Sequence, residues 1–553
     1  MNANTKFCPP IVGTLNDILI KAQNSLKRGD LIRSEEILRQ VIDSMPEVAT
    51  AWHLRALNTQ KMGNFVLAAQ YFNKAHKLSP LNPNYLRDLG AALLSIDRLE
   101  EARKALEKAK LLAPEDAAVR FHLANTQTRQ QELSAAIDNY KFCIHQNPEA
   151  YDAYSNLSAA YRQAGKPFES QKASQQALKI CPESPTALNN LGLALCDSNN
   201  HPDAIKSFRK ALNNAPSDVE IMNNLAVALH AENHIQEAHA VLKQALTLRP
   251  DWPEALINLG NILREQSKFS DAIICYQRAV TFDHSRITAL GNLALALLNL
   301  NKFEESERNY KKALIKDPGN SDLRMSLGIC QLAQGKYEEG WSNYEARWTA
   351  SRFTAQRRDS SAPTWQGEPL AGRRIFVYAE QGFGDTLQFC RFLPLLSEMG
   401  AEVLFECQHS LVTLCHSIDG VGKIITQNDR IPEADFSIPL MSLPHVLSID
   451  LETIPSEVPY LRAKNNQISE FACRLHNTKR QVGLVWLGNP NRQDDRMRSC
   501  PGSALEPILS VDEIMFTSLQ VGIDPSEIPF NMNDFGQYCR TFLDTAAAIE
   551  ALD

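Results

Sequence analysis

A period of 34 residues runs through the first part of this 553-residue chain, from about Leu15 to Trp348. Its clearest sign is a series of prolines that follow one another at that spacing, with a histidine in one place. The series is Pro46, Pro80, Pro114, Pro148, Pro182, Pro216, Pro250, His284 and Pro318. Self-similarity at a period of this length is typical of architectures in which small units stack on their neighbours. The period therefore predicts a stack of about ten units rather than one globular core.

Two positions in every unit hold small residues. With the proline counted as position 32, positions 8 and 20 are Ala, Gly or Ser in all ten units. Position 8 is Ala22, Ala56, Gly90, Ala124, Ser158, Gly192, Ala226, Gly260, Ala294 and Gly328, and position 20 is Ser34, Ala68, Ala102, Ala136, Ser170, Ala204, Ala238, Ala272, Ser306 and Gly340. Small side chains let two helix axes approach closely. Each unit is therefore predicted to be a pair of closely packed helices.

Larger residues and turn residues complete the unit. Position 7 is leucine in the last eight units, while Lys21 and Arg55 replace it in the first two, as expected of atypical terminal repeats. Position 24 is often aromatic, which predicts a core shared between neighbouring units. Residues that tolerate left-handed backbone stand near position 15, namely Gly29, Gly63, Asp97, Gly165, Asn199, Asn233, Asn301 and Gly335. A turn is therefore expected in the middle of each unit.

In length and signature these units resemble the tetratricopeptide repeat, over about three-fifths of the chain. The resemblance implies an α-solenoid of about ten units wound as a right-handed superhelix over residues 14–348. It also implies a concave groove that holds a protein or peptide partner. Residues 1–13 are expected to be an N-terminal tail.

Asparagine recurs at position 6 of five successive units, at Asn156, Asn190, Asn224, Asn258 and Asn292. Asparagine in mid-helix costs roughly 0.5–0.7 kcal/mol relative to alanine, so five at one phase require a reason. By the repeat resemblance this position faces the groove, where an amide donor and acceptor can hold a peptide backbone. A comparable row in the repeat domain of protein O-GlcNAc transferases holds the substrate polypeptide. Alternatively, these amides bond to adjacent repeats and set the pitch of the superhelix.

Composition narrows the class of protein. The net charge is −7 without strong acidic or basic blocks, which argues against a dedicated nucleic-acid binder. The 12 cysteines show no CxxC and no Cys/His spacing of a metal site, which favours free thiols in a reducing compartment such as the cytoplasm. No stretch approaches the ~20 apolar residues that span a bilayer. The N-terminal residues do not look like a signal peptide. We therefore expect a cytoplasmic protein without a metal site or membrane span.

The tenth unit is irregular and is expected to end the stack. Trp341 and Trp348 stand in its second half, and Arg347 replaces a usually small residue. Two tryptophans predict a capping helix buried against a following domain. The polar segment after them, residues 349–372, is predicted to be a linker.

From Arg373 the pattern becomes α/β. Short apolar segments at residues 375–378, 403–406 and 423–426 alternate with helical stretches, which is typical of a parallel sheet with right-handed crossovers. The first segment leads into the loop Gly382-Phe383-Gly384-Asp385, with a helix expected to begin near Thr386. Further strands are expected at 482–486 and 515–519. The pattern predicts one Rossmann-like unit over residues 373–478 and part of a second over 479–553.

Different ligands suit the loop with two glycines. A dinucleotide fold requires a third glycine where Leu387 stands, although Glu406 lies at a strand end where a ribose carboxylate is found. A glycosyltransferase instead uses the glycines for close approach of the acceptor sugar, with Asp385 taking a proton from its hydroxyl. Asp385 is also well placed to cap the helix. The capping role is compatible with the catalytic one.

Several motifs resemble bacterial repeat proteins with a heptosyltransferase-like domain of glycosyltransferase family 9. They are the segments 380–389, 391–396, 482–490, 495–499 and 518–520. The resemblance implies a GT-B-type domain of two Rossmann-like units, with Asp385 as catalytic base. It also implies substrate contacts from Gln381, Gly382, Gly384 and Thr386. Phosphate contact is expected from Arg498 in the loop after the 482–486 strand, alongside Arg492 and Arg496. The alternative is a solvated loop in which Asp494 and Asp495 offset this charge.

Family members continue beyond the segment that matches residues 544–553 into the part that cradles the sugar nucleotide. We therefore expect the α/β domain to be incomplete at its C-terminus and its donor site to be unfinished. No bound cofactor is expected, and a nucleotide sugar is the donor if the domain is active. The first hypothesis is a repeat-containing glycosyltransferase whose solenoid presents a protein acceptor. The alternative is a non-catalytic interaction scaffold with a vestigial transferase domain.

Overall fold

The computed structural model describes residues 14–283, 286–475, 479–488, 498–529 and 532–552. They fall into two compact units, one within residues 1–284 and the other within residues 285–553. The described part of the first unit is helical. The second unit contains the last helices of the repeat segment together with the α/β part.

Helices of 13 or 14 residues succeed one another through the first unit, two to each 34-residue period. They are α1 (Leu15–Arg28), α2 (Leu31–Ser44), α3 (Ala49–Lys61), α4 (Phe65–Leu78), α5 (Pro83–Ser95), α6 (Leu99–Leu112), α7 (Ala117–Arg129), α8 (Leu133–Gln146), α9 (Tyr151–Gln163), α10 (Pro167–Ile180), α11 (Pro185–Asp197), α12 (His201–Asn214), α13 (Val219–Ala231), α14 (Ile235–Leu248), α15 (Pro253–Glu265) and α16 (Phe269–Phe282). The predicted pair of helices per unit is confirmed.

A left-handed residue separates the two helices of each repeat. Position 15 has a positive φ at the eight residues expected from the sequence and also at Gln131 and Ser267. Asp97 and Asn199, for example, have φ of 62° and 57°. The predicted mid-unit turn is confirmed, and at Gln131 and Ser267 the tight connection imposes that backbone on residues that rarely adopt it.

In repeats three, six and eight, the glycine at position 8 packs against the large residue at position 24 of the same repeat. A Cβ on Gly192 would lie 2.5 Å from the Phe208 ring, and a Cβ on Gly260 would lie 2.6 Å from the Tyr276 ring. Phe208 and Tyr276 are fully buried. The expected close approach of the two helices is confirmed, and its cause is a large side chain seated on a glycine or alanine.

The second unit begins with four helices of the repeat segment. They are α17 (Ile287–Asn299), α18 (Phe303–Lys316), α19 (Ser321–Ala333) and α20 (Tyr337–Tyr344). The last of these has only eight residues and passes directly into a 3-10 turn, Glu345–Thr349. This turn carries Arg347 and Trp348 towards the α/β part.

Two parallel sheets form the α/β part. The first contains β1 (Arg374–Tyr378), β2 (Glu402–Cys407), β3 (Val421–Thr426) and β4 (Phe436–Pro439) in the order β3-β2-β1-β4. The second contains β5 (Arg480–Leu484), β6 (Ile514–Ser518) and β7 (Met532–Asp534) in the order β5-β6-β7. The helices are α21 (Phe383–Phe389), α22 (Leu393–Glu398), α23 (Val412–Cys415), α24 (Leu443–Val446), α25 (Asn465–Arg474), α26 (Glu506–Leu509) and α27 (Phe542–Glu550). The expected alternation of strands and helices with parallel pairing is confirmed.

The two faces of the first sheet are covered differently. Ile375 and Val377 point into a core formed with α21 and α22. Phe376 and Tyr378 point to the other face, where Trp348 of the 3-10 turn packs against them. The turn that ends the repeats thus covers apolar sheet surface that a doubly wound fold covers with a helix. The predicted burial of the tryptophan cap against the following domain is confirmed.

Part of the segment expected to be a linker belongs to the α/β core. Trp365 is fully buried, and its backbone N–H donates to the Ser437 carbonyl oxygen of β4 over 2.9 Å. Leu370 is also buried in the same core. The assignment of all of residues 349–372 to a linker therefore needs correction, because the surrounding polar residues hid a strand-like edge contact.

Within the described residues, no helix has the length and apolar character needed to cross a lipid bilayer.

Candidate functional site

The asparagine row of the first unit lies on the first helices of successive repeats, which contact one another side by side. All four side chains are half-buried, and each donates its amide N–H to the preceding repeat. Asn156 Nδ2 donates to Asn125 Oδ1 over 2.9 Å, Asn190 Nδ2 to the Ser155 carbonyl over 3.1 Å, Asn224 Nδ2 to Asn189 Oδ1 over 3.0 Å, and Asn258 Nδ2 to Asn223 Oδ1 over 2.8 Å. The hydrogen bonds between adjacent repeats that the alternative interpretation expects are therefore present. Asn292 lies half-buried on α17 of the second unit.

Most of these hydrogen bonds follow one pattern of contact between neighbouring repeats. Position 5 of one repeat meets position 6 of the next, 35 residues later, as Asn189 and Asn224 do. The same rule joins His53 Nε2 to Asp88 Oδ2 over 2.8 Å. Sequence reasoning considered position 6 alone and missed its partner. Complementary residue pairs at a spacing of 35 were the signal that could have revealed it.

The inter-repeat bonds leave part of each amide available. The Oδ1 atoms of Asn190, Asn224 and Asn258 accept no hydrogen bond from the described residues. None of these three atoms is among the buried polar atoms that lack a partner. The amide nitrogens of Asn189 and Asn223 likewise donate to no described residue. Each such pair thus presents an open acceptor beside an open donor. A peptide unit offers the complementary N–H and C=O.

A second candidate site lies at the carboxyl end of β1. The neighbours of β1 are β2 on one side and β4 on the other, so the strand order reverses at β1. In open parallel sheets, ligands bind in the crevice outside the strand ends at such a reversal. Residues 380–385, called the switch loop below, follow β1 at this place. They include the predicted residues Gln381, Gly382, Gly384 and Asp385, and Thr386 comes next.

Asp385 is the third residue of α21, because the helix begins at Phe383 rather than near Thr386. Its Oδ2 accepts the Gly382 backbone N–H over 3.1 Å. The side chain of Thr386 is buried and donates to the Gly382 carbonyl over 3.2 Å. Asp385 therefore stabilises the start of the helix, while its Oδ1 accepts no hydrogen bond from the described residues. The carboxylate is held in place and still half-exposed.

The two glycines of the switch loop have free space above them. A Cβ on Gly384 would meet no atom within 4 Å, and one on Gly382 would meet only Asp385 Oδ2 at 3.5 Å. Gly382 has a φ of −72°, which any residue adopts. Neither packing nor backbone conformation requires glycine at these positions. Both glycines are exposed.

Gln381 points back towards the repeats. Its Nε2 donates to the Tyr344 hydroxyl over 2.8 Å, and its carbonyl accepts from Gln408 Nε2 over 2.7 Å. Glu380 beside it is fully buried against Arg347, with Nη2 to Oε1 at 3.0 Å. Burial raises the pKa of Glu380 above its ordinary value, although the guanidinium of Arg347 opposes the rise. The Gln381 side chain thus makes a structural contact with the tenth repeat, and its substrate contact stays a prediction.

Glu406 cannot serve a ribose. Its carboxylate is fully buried and paired with Arg358, whose Nη2 lies 2.9 Å from Oε2. Burial also raises the pKa of Glu406. Because the carboxylate is covered and neutralised, the dinucleotide alternative loses the group that would have bound the sugar.

Arg498 is exposed in the segment that follows β5. No hydrogen bond or ion pair joins it to the switch loop among the described residues, and Arg492 and Arg496 lie outside them. A cavity of about 700 Å³ lies by the second sheet, lined among others by Trp486, Leu509 and Ile528. It includes none of the predicted site residues.

Family models described as tetratricopeptide repeat match this chain at residues 60–124, 149–217, 183–251, 223–286 and 292–348. The helical part of the chain is built of tetratricopeptide repeats. These matches end at residue 348, so the heptosyltransferase resemblance of the α/β part rests on its motifs alone.

Known proteins that are similar to the chain match parts of it. Over 158 residues it is 28% identical to the tetratricopeptide repeat-containing protein trd-1 of Caenorhabditis elegans, covering 28% of this chain and 20% of that protein. Over 165 residues it is 25% identical to protein FlbA of Caulobacter vibrioides, covering 30% and 28%. The chain thus spans less than a third of the length of either relative. Among solved structures, the Cut9–Hcn1 hetero-tetramer of APC/C matches 51% of this chain and 56% of its own at 18% identity, with a TM-score of 0.40.

Proposed function

We propose that this tetratricopeptide repeat protein is an interaction scaffold that holds an extended segment of a partner polypeptide. The observation that carries the proposal is the open acceptor and donor on the amide pairs Asn189–Asn224 and Asn223–Asn258, which join repeats six, seven and eight. The surface formed by α11, α13 and α15, called the first-helix face below, repeats this arrangement at a regular interval. A row of identical neutral amides suits a backbone better than any one side chain.

The spacing fits such a ligand. Packed helices lie roughly 10 Å apart, and an extended chain rises ~3.3 Å per residue. One amide pair therefore meets about every third peptide unit. Because every residue except proline offers the same backbone N–H and C=O, binding would tolerate many sequences.

The test compares two variants that both lose inter-repeat hydrogen bonds. Asn190, Asn224 and Asn258 are replaced together by alanine on the first-helix face. The control replaces Gln171 and Asn214, whose amides also bond to a carbonyl of a neighbouring repeat but lie on the second helices α10 and α12. The probe is fluorescein-labelled, reduced and carboxamidomethylated α-lactalbumin, an unfolded polypeptide.

Fluorescence anisotropy measures the Kd of the full chain for this probe. Each lost amide contact is worth roughly 0.5–1.5 kcal/mol, so the triple variant should bind at least about ten-fold more weakly. The control should bind like the unaltered protein. Equal affinity of all three proteins, with unchanged melting, would return the asparagines to a purely structural role.

Sugar transfer at the switch loop is a second candidate function, favoured by the open glycines and the half-exposed Asp385 at the strand-order reversal. Here Asp385 would act as general base by taking a proton through Oδ1 from an acceptor hydroxyl. The donor would be a nucleotide sugar bound across the α/β part.

Thermal shift with a panel of nucleotide sugars tests this candidate. A ligand at 100 times its Kd stabilises the folded state by about 2.7 kcal/mol. If a shift appears, Asp385→Asn should keep it and lose transfer, whereas Gly384→Val should lose both by filling the open space. If no nucleotide sugar shifts the melting curve, the scaffold function stands alone.

A further inference from the structure

We propose that Tyr344 and Arg347 of the tenth repeat are positioning residues for the switch loop. They set the conformation of the loop although neither belongs to the α/β sequence that forms it. This inference concerns the second unit and does not depend on peptide binding by the first. It holds whichever ligand the loop takes.

Arg347 lies at the centre of a buried polar cluster. The side chain is fully buried, and its Nη2 donates to Glu380 Oε1 over 3.0 Å and to Ser442 Oγ over 2.8 Å. Its Nη1 lies 2.5 Å from Glu345 Oε1 in the same 3-10 turn. Ser442 Oγ in turn donates to Glu345 Oε1 over 2.9 Å. Every member of the cluster is held by at least one other member.

This cluster joins both sides of the crevice at the strand-order reversal. Glu380 follows β1, while Met441 and Ser442 follow β4. The Met441 backbone N–H donates to Glu380 Oε1 over 3.3 Å. Arg347 therefore lies between the two strand ends and joins the first residue of the switch loop to the tenth repeat by a hydrogen bond. A carboxylate buried at this depth is stable only while its charged partner stays in place.

Tyr344 holds the second residue of the loop. Its hydroxyl accepts from Gln381 Nε2 over 2.8 Å, and its ring lies against the Arg347 guanidinium at 5.0 Å. The ring also packs edge-on against Trp341. Removing the hydroxyl alone would release the Gln381 side chain while leaving the aromatic packing intact. The contact can therefore be tested without disturbing the core.

Limited proteolysis of the full chain measures directly how firmly the switch loop is held. Phe383 is 45% exposed at the end of the glycine segment and is a site for chymotrypsin. Tyr344→Phe should raise the rate of cleavage after Phe383 by roughly two- to ten-fold, the factor that one lost hydrogen bond permits. The control is Tyr337→Phe in the same short helix, because the Tyr337 hydroxyl has no hydrogen-bond partner among the described residues. Mass spectrometry identifies the fragment that ends at Phe383.

A double-mutant cycle separates positioning from general loss of stability. Gln381→Met should raise the rate as much as Tyr344→Phe, and the two changes together should add nothing further, since they remove the same contact. Melting temperatures should stay close to that of the unaltered protein. A combined Arg347→Met and Glu380→Gln variant removes both buried charges, and it should also speed cleavage at Phe383.

Two results would overturn the inference. The first is equal cleavage after Phe383 in Tyr344→Phe and Tyr337→Phe, which would mean that the loop holds its shape without the repeat. The second is acceleration at all chymotryptic sites together, which would indicate global destabilisation. If the double charge variant fails to fold, the tyrosine pair still decides the question.

Discussion

Replacement of Gly192 by alanine tests the packing that underlies the repeat. The added Cβ would lie 2.5 Å from the ring of Phe208, a side chain that is fully buried. Forcing an extra methyl group into a packed core costs about 1–3 kcal/mol. Alanine in a helix recovers about 1 kcal/mol relative to glycine. The net effect should be a destabilisation of about 1 kcal/mol.

A second substitution should rescue the first. Repeat seven already combines alanine and leucine at the same two positions, Ala226 and Leu242, both fully buried. Phe208→Leu alone removes ring volume and should destabilise by about 1 kcal/mol or more. The double variant copies repeat seven and should be more stable than the sum of the single changes predicts. A coupling of about 0.5–3 kcal/mol is the range for residues in contact.

Urea unfolding of the full chain, followed by helical circular dichroism, measures these effects as shifts in the midpoint at constant m-value. The double variant should unfold at a higher urea concentration than the summed shifts of the two single variants predict. The reasoning is refuted if Gly192→Ala unfolds at the same or a higher urea concentration than the unaltered protein. Additive single effects would refute the contact between positions 8 and 24 as the cause.

Three further outcomes are expected. Burial tends to raise the pKa of Glu307, but hydrogen bonds from Lys311 and Lys336 hold it at about 2. Its contribution to stability is therefore present above about pH 4.5 and is lost as the pH falls towards 2, so Glu307→Gln should flatten the fall of the urea midpoint between these values. A chain ending at residue 283 should melt cooperatively, whereas one ending at residue 348 should aggregate, as light scattering would show, because it exposes the tryptophan cap. Gly384→Ala should leave the melting temperature unchanged or slightly raised, since the space above it is open, and a clear fall would contradict that geometry.

The repeats could be predicted from sequence because their determinants are local and periodic. The turn residue of each unit has a positive φ where the sequence places Gly, Asn or Asp, as at Gly63 and Asn233. The pattern is repeated ten times, so it can be recognised although single units depart from it. Gln131 and Ser267 adopt the same turn although neither residue favours it. A core that each unit shares only with its neighbours leaves few other ways to fold.

The role of the asparagines could not be predicted in the same way. An amide at position 6 is equally able to bond to a neighbouring repeat or to a ligand. Sequence does not state which atoms are adjacent, and the structure assigns Asn224 Nδ2 to Asn189 while leaving Asn224 Oδ1 open. The inter-repeat bond is thus present, and peptide binding through the open atom stays a prediction.

The sequence by itself determined the helix pairs, the turns and the parallel α/β pattern, because each depends on residues close together in the chain. Only the tertiary structure decided that Trp365 belongs to the sheet and that Glu406 is covered. It alone brought Arg347 to Glu380, 33 residues away, and to Ser442, 95 residues away. The physical reason is that a buried charge is stable only when it is paired, and the spacing of residues in the sequence does not show which residue the fold brings beside it.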